Sequence, residues 1–340
     1  MADSSISNSS NSKDWNHQPA LPIQTNPLFN WPPEPRLAFR WFAKNWLALS
    51  QVAIQIVLAV VVYLFIFPPF EEMAVLQFGW VFKVWLTNII LLSTFAGSMH
   101  FYLYSLRKQG DKLKYDPRDL GKDSGVFTFR NQVHDNMFWT LVSGVSFWTF
   151  FQCLVFHAGA SGLAPLFEFS SGYWGKLLPL IWFVLLFFLI PLWSSFHFYW
   201  IHRFLHWPPL YKIAHALHHR NVNVGPWSGI SMHPIEHAVY FTNFLIHLVV
   251  PSHPVHILFH AYFQTLGAVA NHSGFESLVY RDKKQIQLAD FFHQLHHRYF
   301  ECNYGTVEMP WDKWFGSFHD GSEEATTETW QRKKRMYQSQ

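Results

Sequence analysis

Residues 202–219 read HRFLHWPPLYKIAHALHH, five histidines in eighteen positions, spaced H-x-x-x-H and then H-x-x-H-H. A helix brings residues three and four apart onto one face. His202 and His206 therefore point the same way, as do His215, His218 and His219, with a small fan between the last two. Pro208-Pro209 cannot continue a helix, because proline lacks the N–H and clashes with the preceding turn. Two short helical pieces meeting at a proline corner, each presenting imidazoles, make half of a metal site.

The other half lies downstream. His293-Gln-Leu-His296-His297 repeats the H-x-x-H-H spacing, and His272 lies on the way to it. Neutral imidazole is the commonest metal ligand, and nitrogen ligands suit iron, zinc and copper. Eight or nine histidines exceed what one ion can hold and suit two. Of the 21 histidines, His17, His100, His134, His157 and His319 have no partners in sequence and are read as structural. His253, His256 and His260 share a helical face, but His260 lies roughly 18 Å from His272 along a helix, too far for one cluster. A rival signal is His233-Pro-Ile-Glu236-His237, an H-x-x-E-H match to the inverted zinc-peptidase motif. It defines the alternative, a zinc-dependent membrane metallohydrolase. In the leading reading these three residues instead support the ligand imidazoles.

Half of the 340 residues are hydrophobic and 14% are charged, against about a quarter in soluble proteins. Four apolar stretches, at about 46–67, 81–106, 138–157 and 177–200, are long enough for membrane spans of about 20 residues; Pro179 and Pro191 predict a kink in the fourth. Lys and Arg dominate the approach to the first span and the loop from Arg107 to Arg130, so the positive-inside rule places both in the cytoplasm. Four spans then return the chain to that side at His202. Two shorter apolar runs, 238–250 and 256–270, are expected to form a hairpin dipping into the bilayer or crossing it at an angle. The fold class is thus all-α, a multi-span membrane bundle with a histidine-rich helical cap on its cytoplasmic face. Residues 1–35 are expected to be a disordered tail, 36–134 a transmembrane helix pair and basic loop, 135–320 the catalytic domain, and 321–340 a polar basic tail.

A net charge of +3 is too small to argue for nucleic acid. Cys153 and Cys302 provide no disulfide framework, and no cleaved signal is expected. Histidines gathered at one face, rather than threaded through the spans, count against a metal transporter.

The boxes with their flanks resemble the fatty acid hydroxylase/sterol desaturase superfamily of integral membrane di-iron oxygenases. The resemblance rests on Phe198-Tyr199-Trp200-Ile201-His202-Arg203, His233-Pro234-x-Glu236, Asn271-His272-Ser273-Gly274, and Asn303-Tyr304-Gly305 through Trp311-Asp312 to Phe315-Gly316. It covers about residues 135–320 and implies two iron ions, Fe2+ in the reduced resting form, held by His202, His206, His215, His218, His219, His272, His293, His296 and His297. O2 is the implied co-substrate. Some relatives carry a second histidine four residues after the one matching His272; here that position is Glu276, expected as a ligand, a supporting carboxylate or a solvated group. Asn303, with His233, Glu236 and His237, is expected as a support or ligand. The implied activity is hydroxylation or desaturation of an unactivated C–H position of a lipid, a sterol or a fatty acyl or alkyl lipid. With no His-Pro-Gly-Gly haem signature and no G-x-G-x-x-G fingerprint, an external electron donor such as cytochrome b5 or a ferredoxin with its reductase is implied. The setting is the endoplasmic reticulum in a eukaryote or the inner membrane in a bacterium.

Overall fold

The computed structural model describes residues 15–167 and 173–338. The expected tail over 1–14, the linker residues 168–172 and the last two residues lie outside the described residues.

The chain opens on a helix α1 (Pro35–Phe42) that meets α2 (Gln51–Phe65) at a bend, where the Ser50 side chain caps α2 by accepting from the Ala53 N–H at 3.2 Å. Helix α3 (Phe78–His100) continues through a widened turn to Ser105. Helices α4 (Gln132–Trp139) and α5 (Val145–Ala160) join through a similar turn into one long element, and α6 (Tyr173–Leu205) runs unbroken through Pro179 and Pro191. Three helices, Phe78–Ser105, Gln132–Ala160 and Leu177–Leu205, are long and apolar enough to cross a membrane, and the bent pair α1–α2 makes a fourth if counted as one span. This is the build of an integral membrane protein. Where these helices meet, polar side chains bond one another: Asn88 of α3 donates to Thr149 and Gln152 of α5 at 3.1 and 2.8 Å.

Beyond α6 the chain turns at α7 (Pro208–Leu210), passes a widened turn at Tyr211–His215 and forms α8 (Ala216–His219). Helices α9 (Pro234–Phe241) and α10 (Pro254–Asn271) follow. Helix α10, the second half of the expected hairpin, lies at the centre of the bundle. Fourteen of the eighteen residues of α10 are buried, so other helices surround it, as befits a helix apolar on nearly every side. Its histidines are satisfied there. His256 Nε2 lies 2.9 Å from the Phe183 carbonyl, and His260 lies between Ser194 Oγ at 3.0 Å and His247 Nε2 at 2.9 Å.

Strands β1 (Ser277–Tyr280) and β2 (Lys283–Gln287) form an antiparallel hairpin, a departure from the all-α expectation. Its two turn residues, Arg281 and Asp282, both have positive φ, as a type I′ turn requires. Helices α11 (Phe291–Tyr299), α12 (Trp311–Trp314) and α13 (Glu323–Gln338) complete the cap.

Two stretches expected as tails are part of this cap. Trp15 packs edge-on against Phe291 at 4.9 Å, and the Asn16 side chain donates to the carbonyls of Asp111 and Lys114, both at 2.8 Å. Ile23 donates to the Asp320 carbonyl at 2.9 Å, and the buried Asn26 reaches the Glu308 carbonyl at 2.7 Å. Polar composition suggested disorder, but these side chains satisfy backbone groups of the cap. At the other end, α13 sends Arg332 to the Glu301 carbonyl at 3.1 Å.

Candidate metal centre

The ends of α3, α6 and α10 and the start of α4 lie together at one end of the bundle, and the histidine boxes sit on that end. The Tyr104 hydroxyl, just past α3, donates to the carbonyls of Ser273 and Val224 at 2.8 and 3.2 Å. From α4, Gln132 and Asn136 both donate to Asn221, two residues past the second box, and Asp135 is paired with Arg220. Gly229 lets the chain between the second box and α9 lie directly on α10: a Cβ there would stand 2.6 Å from the Val269 nitrogen.

All nine histidines come together, all are buried, and they divide into two groups. His202, His206, His215, His219 and His296 form one; His218, His272, His293 and His297 form the other. Helical geometry explains the sorting. Residues four apart stay on one stripe, so the pairs 202/206, 215/219 and 293/297 each serve one group. Their neighbours three residues along, His218 after His215 and His296 after His293, are turned to the other group. The second and third boxes therefore each serve both groups. The small fan expected between His218 and His219 is a full division of labour.

Within the groups the imidazoles meet through Nε2. His202 and His215 approach to 3.0 Å, as do His219 and His296. In the second group His272 lies 3.3 Å from His218, 3.0 Å from His297 and 3.1 Å from His293, and His293 lies 3.2 Å from His297. The opposite ring nitrogens fix what these contacts are. His202 Nδ1 lies 2.7 Å from the Tyr304 carbonyl, His296 Nδ1 2.7 Å from the Cys302 carbonyl, and His272 Nδ1 2.8 Å from the Ala268 carbonyl. His218 Nδ1 faces the Ser231 carbonyl at 3.3 Å, and His215 Nδ1 faces Glu236 Oε1 at 2.7 Å. A backbone carbonyl or an ionised carboxylate only accepts, so with Glu236 ionised those Nδ1 atoms carry the hydrogen and the Nε2 atoms are bare lone pairs. Two facing lone pairs repel unless a cation lies between them. Nitrogens held about 2.0–2.1 Å from one ion and at right angles stand about 3.0 Å apart, which is the spacing found. His206, buried with no hydrogen-bond partner on either ring nitrogen, fits the same demand.

Burial also keeps the rings neutral. It pushes His215 and His296 to about 3 and His218 to about 4, and holds His206, His219, His293 and His297 well below the ordinary value. The donor set is nine imidazoles with no thiolate, suited to iron, zinc, copper or nickel.

Against this frame of ligand-like nitrogens, the fatty acid hydroxylase family model matches residues 186–317, a range that holds every one of the nine histidines. Residues 186–317 belong to the fatty acid hydroxylase/sterol desaturase superfamily. The chain is similar to the Delta(7)-sterol 5(6)-desaturases of Eremothecium gossypii (30% identical over 152 residues, 44% of this chain and 42% of the relative), Candida albicans (32% over 123 residues, 35% and 30%) and Saccharomyces cerevisiae (31% over 121 residues, 35% and 32%). The match thus spans less than half the length of each of these relatives. No solved structure matches the chain.

The superfamily's flanking elements have visible jobs here. Asp312 accepts from the N–H groups of Tyr304 and Gly305, both at 2.8 Å, and from Ser317 Oγ at 2.6 Å. That clamps the loop whose Tyr304 carbonyl orients His202. Asn303, at φ 51°, holds the same loop through the carbonyls of Phe292 and His319 at 3.0 Å and the His319 N–H at 2.7 Å. These bonds place Asn303 in the framework of the loop that orients His202. Glu236 backs His215.

Three of the candidate residues, His233, His237 and Glu276, stand outside the two histidine groups. His233 and His237 do not converge with Glu236 on a zinc. His233 Nδ1 caps α9 by accepting from the Ile235 N–H at 3.2 Å, and His237 is spent on the Ile230 carbonyl at 2.9 Å and Ser143 Oγ at 3.0 Å. Pro234 starts a helix between the two histidines, and the helical turn separates their rings. Of the three roles open to Glu276, its placement favours the solvated group. It is turned outward, bonded to His17 and, at 2.5 Å, to Lys284. His17, read as structural, is the partner that holds it there, a pairing 259 residues apart that no local spacing signals.

Sequence reasoning missed Glu301. It is buried, accepts from the Tyr304 hydroxyl at 2.6 Å and places Oε1 3.7 Å from His206 Nδ1. Its position four residues after His297 was the available signal.

Proposed function

We propose that this chain is a membrane-bound lipid oxygenase that desaturates or hydroxylates an unactivated C–H position, with a sterol as its substrate class. Two irons held by the two histidine groups supply, with O2, the oxidising power for that step. For desaturation the balance is one substrate losing two hydrogens and one O2 taking up these, two electrons and two protons to give two waters. The two electrons come from an external one-electron carrier such as cytochrome b5, or a ferredoxin with its reductase. The observation that carries the reading is the pair of imidazole groups whose lone pairs face each other at the spacing of shared ligands. The sterol assignment rests on the relatives' activity.

The chain's own residues have definite tasks. The carbonyls of Tyr304, Cys302, Ala268 and Ser231 fix the tautomer of four imidazoles, and Glu236 that of a fifth. Complete burial of the nine rings keeps water from the centre. The basic loop 106–131 lies at the same end of the bundle, with Gln109 bonded to β1. By the positive-inside rule that end faces the cytoplasm, where soluble electron carriers reside.

The test is a metal count and an O2-uptake assay on the full chain in detergent, with a reductant and a sterol. Two irons per chain and sterol-dependent uptake are expected. His218→Ala and His296→Ala each disturb a different group and lower the count, whereas His319→Ala, bonded to Thr326 and Gly321, keeps both ions. One zinc and no oxygen uptake would overturn the reading.

A further inference from the structure

Phe300 ends α11 three residues after the last histidine of the third box, at φ 71° and ψ −56°. A left-handed backbone costs a bulky residue on the order of 1–3 kcal/mol, and glycine would avoid that cost. The aromatic side chain held there joins two things. Inward, its ring lies 4.9 Å from that of His219, tilted by 37°. Outward it is partly exposed, with Lys333 Nζ of α13 lying 4.6 Å above it. The same ammonium lies 5.3 Å from the ring of Trp330, which is itself half exposed. Lys334 and Arg335 continue the cationic run in the open, and Lys212 is exposed next to Tyr211, whose ring is 6.5 Å from Phe300. One aromatic ring thus separates a cationic, aromatic-edged surface from the imidazoles of the five-histidine group.

We propose that this face, centred on Phe300 and Lys333, is the docking surface for an acidic one-electron carrier protein, with the Phe300 ring as the bridge to His219. The proposal rests on the oxygenase reading, because only that reaction calls for two external electrons. Charge complementarity selects the partner: four consecutive cations, Arg332 to Arg335, edge the face. An anionic lipid surface suits it less, since the first half of the same helix exposes Glu323, Glu324 and Glu328. The inward-facing ring would also serve no purpose against headgroups.

The test uses the full chain in nanodiscs of neutral lipid and the soluble haem domain of cytochrome b5 as the acidic probe. Binding is measured on metal-free protein, so it does not depend on iron or turnover. Salt-sensitive binding is expected, weakened about tenfold or more by the double charge reversal Lys334→Glu/Arg335→Glu, the scale at which steering charges act. In the iron-loaded protein, Phe300→Leu is expected to slow electron transfer at saturating carrier relative to the rate with a small soluble reductant on the same variant. Probe binding unchanged by the charge reversal would overturn the proposal. So would an effect of the reversal that appears only with anionic lipid in the disc, since the face would then meet headgroups. Failure of the oxygenase reading looks different: the metal count and the oxygen uptake driven by the small reductant would fail, whatever the probe does.

Discussion

Glu236→Gln should weaken one of the two ions clearly more than the other. Glu236 Oε1 receives the His215 Nδ1 hydrogen at 2.7 Å, and His215 belongs to the five-histidine group. The other carboxylate near the centre, Glu301, faces His206 of the same group. No carboxylate is hydrogen-bonded to the four-histidine group among the described residues; His218 and His272 lean on carbonyls, and Glu236 reaches His218 only through its charge. A glutamine keeps the volume and an oxygen to accept the His215 hydrogen, so the imidazole stays oriented. What it removes is charge. A carboxylate about 7 Å from a divalent ion attracts it by roughly 5 kcal/mol at an effective dielectric of about 20. Much of this is offset because the buried carboxylate, whose Oε2 has no partner, no longer has to be kept ionised. Supporting groups of this kind are worth about 10–100-fold in metal affinity, or roughly 1.4–2.8 kcal/mol. Competitive titration of metal-free protein against a calibrated chelator should therefore resolve two classes in the variant, one weakened by that factor and one weakened less. Equal weakening of both ions, or of neither, would refute the division into two groups with unequal support.

Three further outcomes follow from the same geometry. Asp312→Asn turns an amide N–H2 toward one of the N–H groups of Tyr304 and Gly305, losing at least one charge-assisted bond worth about 1.5–3 kcal/mol; thermal unfolding should fall by several degrees, and the five-histidine ion, oriented through the Tyr304 carbonyl, should weaken more than its neighbour. Metal-free protein should lose stability as pH falls from about 6.5 toward about 4. Burial places His215, His218 and His296 at about 3 to 4, whereas the unfolded chain takes up their protons from about 6.5, so the unfolded state binds more protons in that window and is favoured by acid; a flat unfolding profile between pH 7.5 and 5 would contradict the burial of neutral rings. Gly229→Ala puts a methyl 2.6 Å from the Val269 nitrogen, and overpacking against a backbone that cannot yield costs about 1–3 kcal/mol; lower thermal stability together with weaker binding at the four-histidine group, whose His272 follows α10, is the expected reading.

The centre was unusually legible in the sequence because its ligands are of one type and lie at helical spacings. The boxes themselves told which residues to gather, and the long apolar stretches told that they would collect at one end of a bundle. What failed to show were pairings without local spacing. His17 with Glu276 and Asn16 with Asp111 join residues roughly 95 or more apart, and a Ser- and Asn-rich tail looks disordered whether or not its amides find carbonyls. The β-hairpin was hidden because Arg281-Asp282 takes the backbone angles that usually advertise themselves as Asn-Gly. Glu301 was hidden because a lone acid after a histidine box is, by composition alone, a surface residue; only the fold buries it. The H-x-x-E-H match erred in the opposite way. It has the right letters, but the structure uses its first histidine as a helix cap.

An H-x-x-H-H box on one helix cannot serve a single ion with all three rings, because each residue turns the helix by about 100°. The first and last histidines share a stripe and the middle one leaves it. Two such boxes facing each other therefore create two adjacent sites at once, each taking two rings from one box and one from the other; His202 with His206, and His272, then fill out the two sets. The same sharing couples the sites to folding. Rings from residue 202 to residue 297 are drawn from the end of α6 and the residue after it, the turn at Tyr211–His215, α8, the end of α10 and α11, and the bare nitrogens of His202 and His215, and of His218 and His272, face one another at 3.0 and 3.3 Å. Without cations that arrangement is repulsive and must be held by the supports alone: Asp312 on its loop, Asp135 on Arg220, and Glu236 on His215. With cations the repulsion becomes ligation, and binding energy becomes folding energy. Metals bound as proposed would thus stabilise the cap that encloses them.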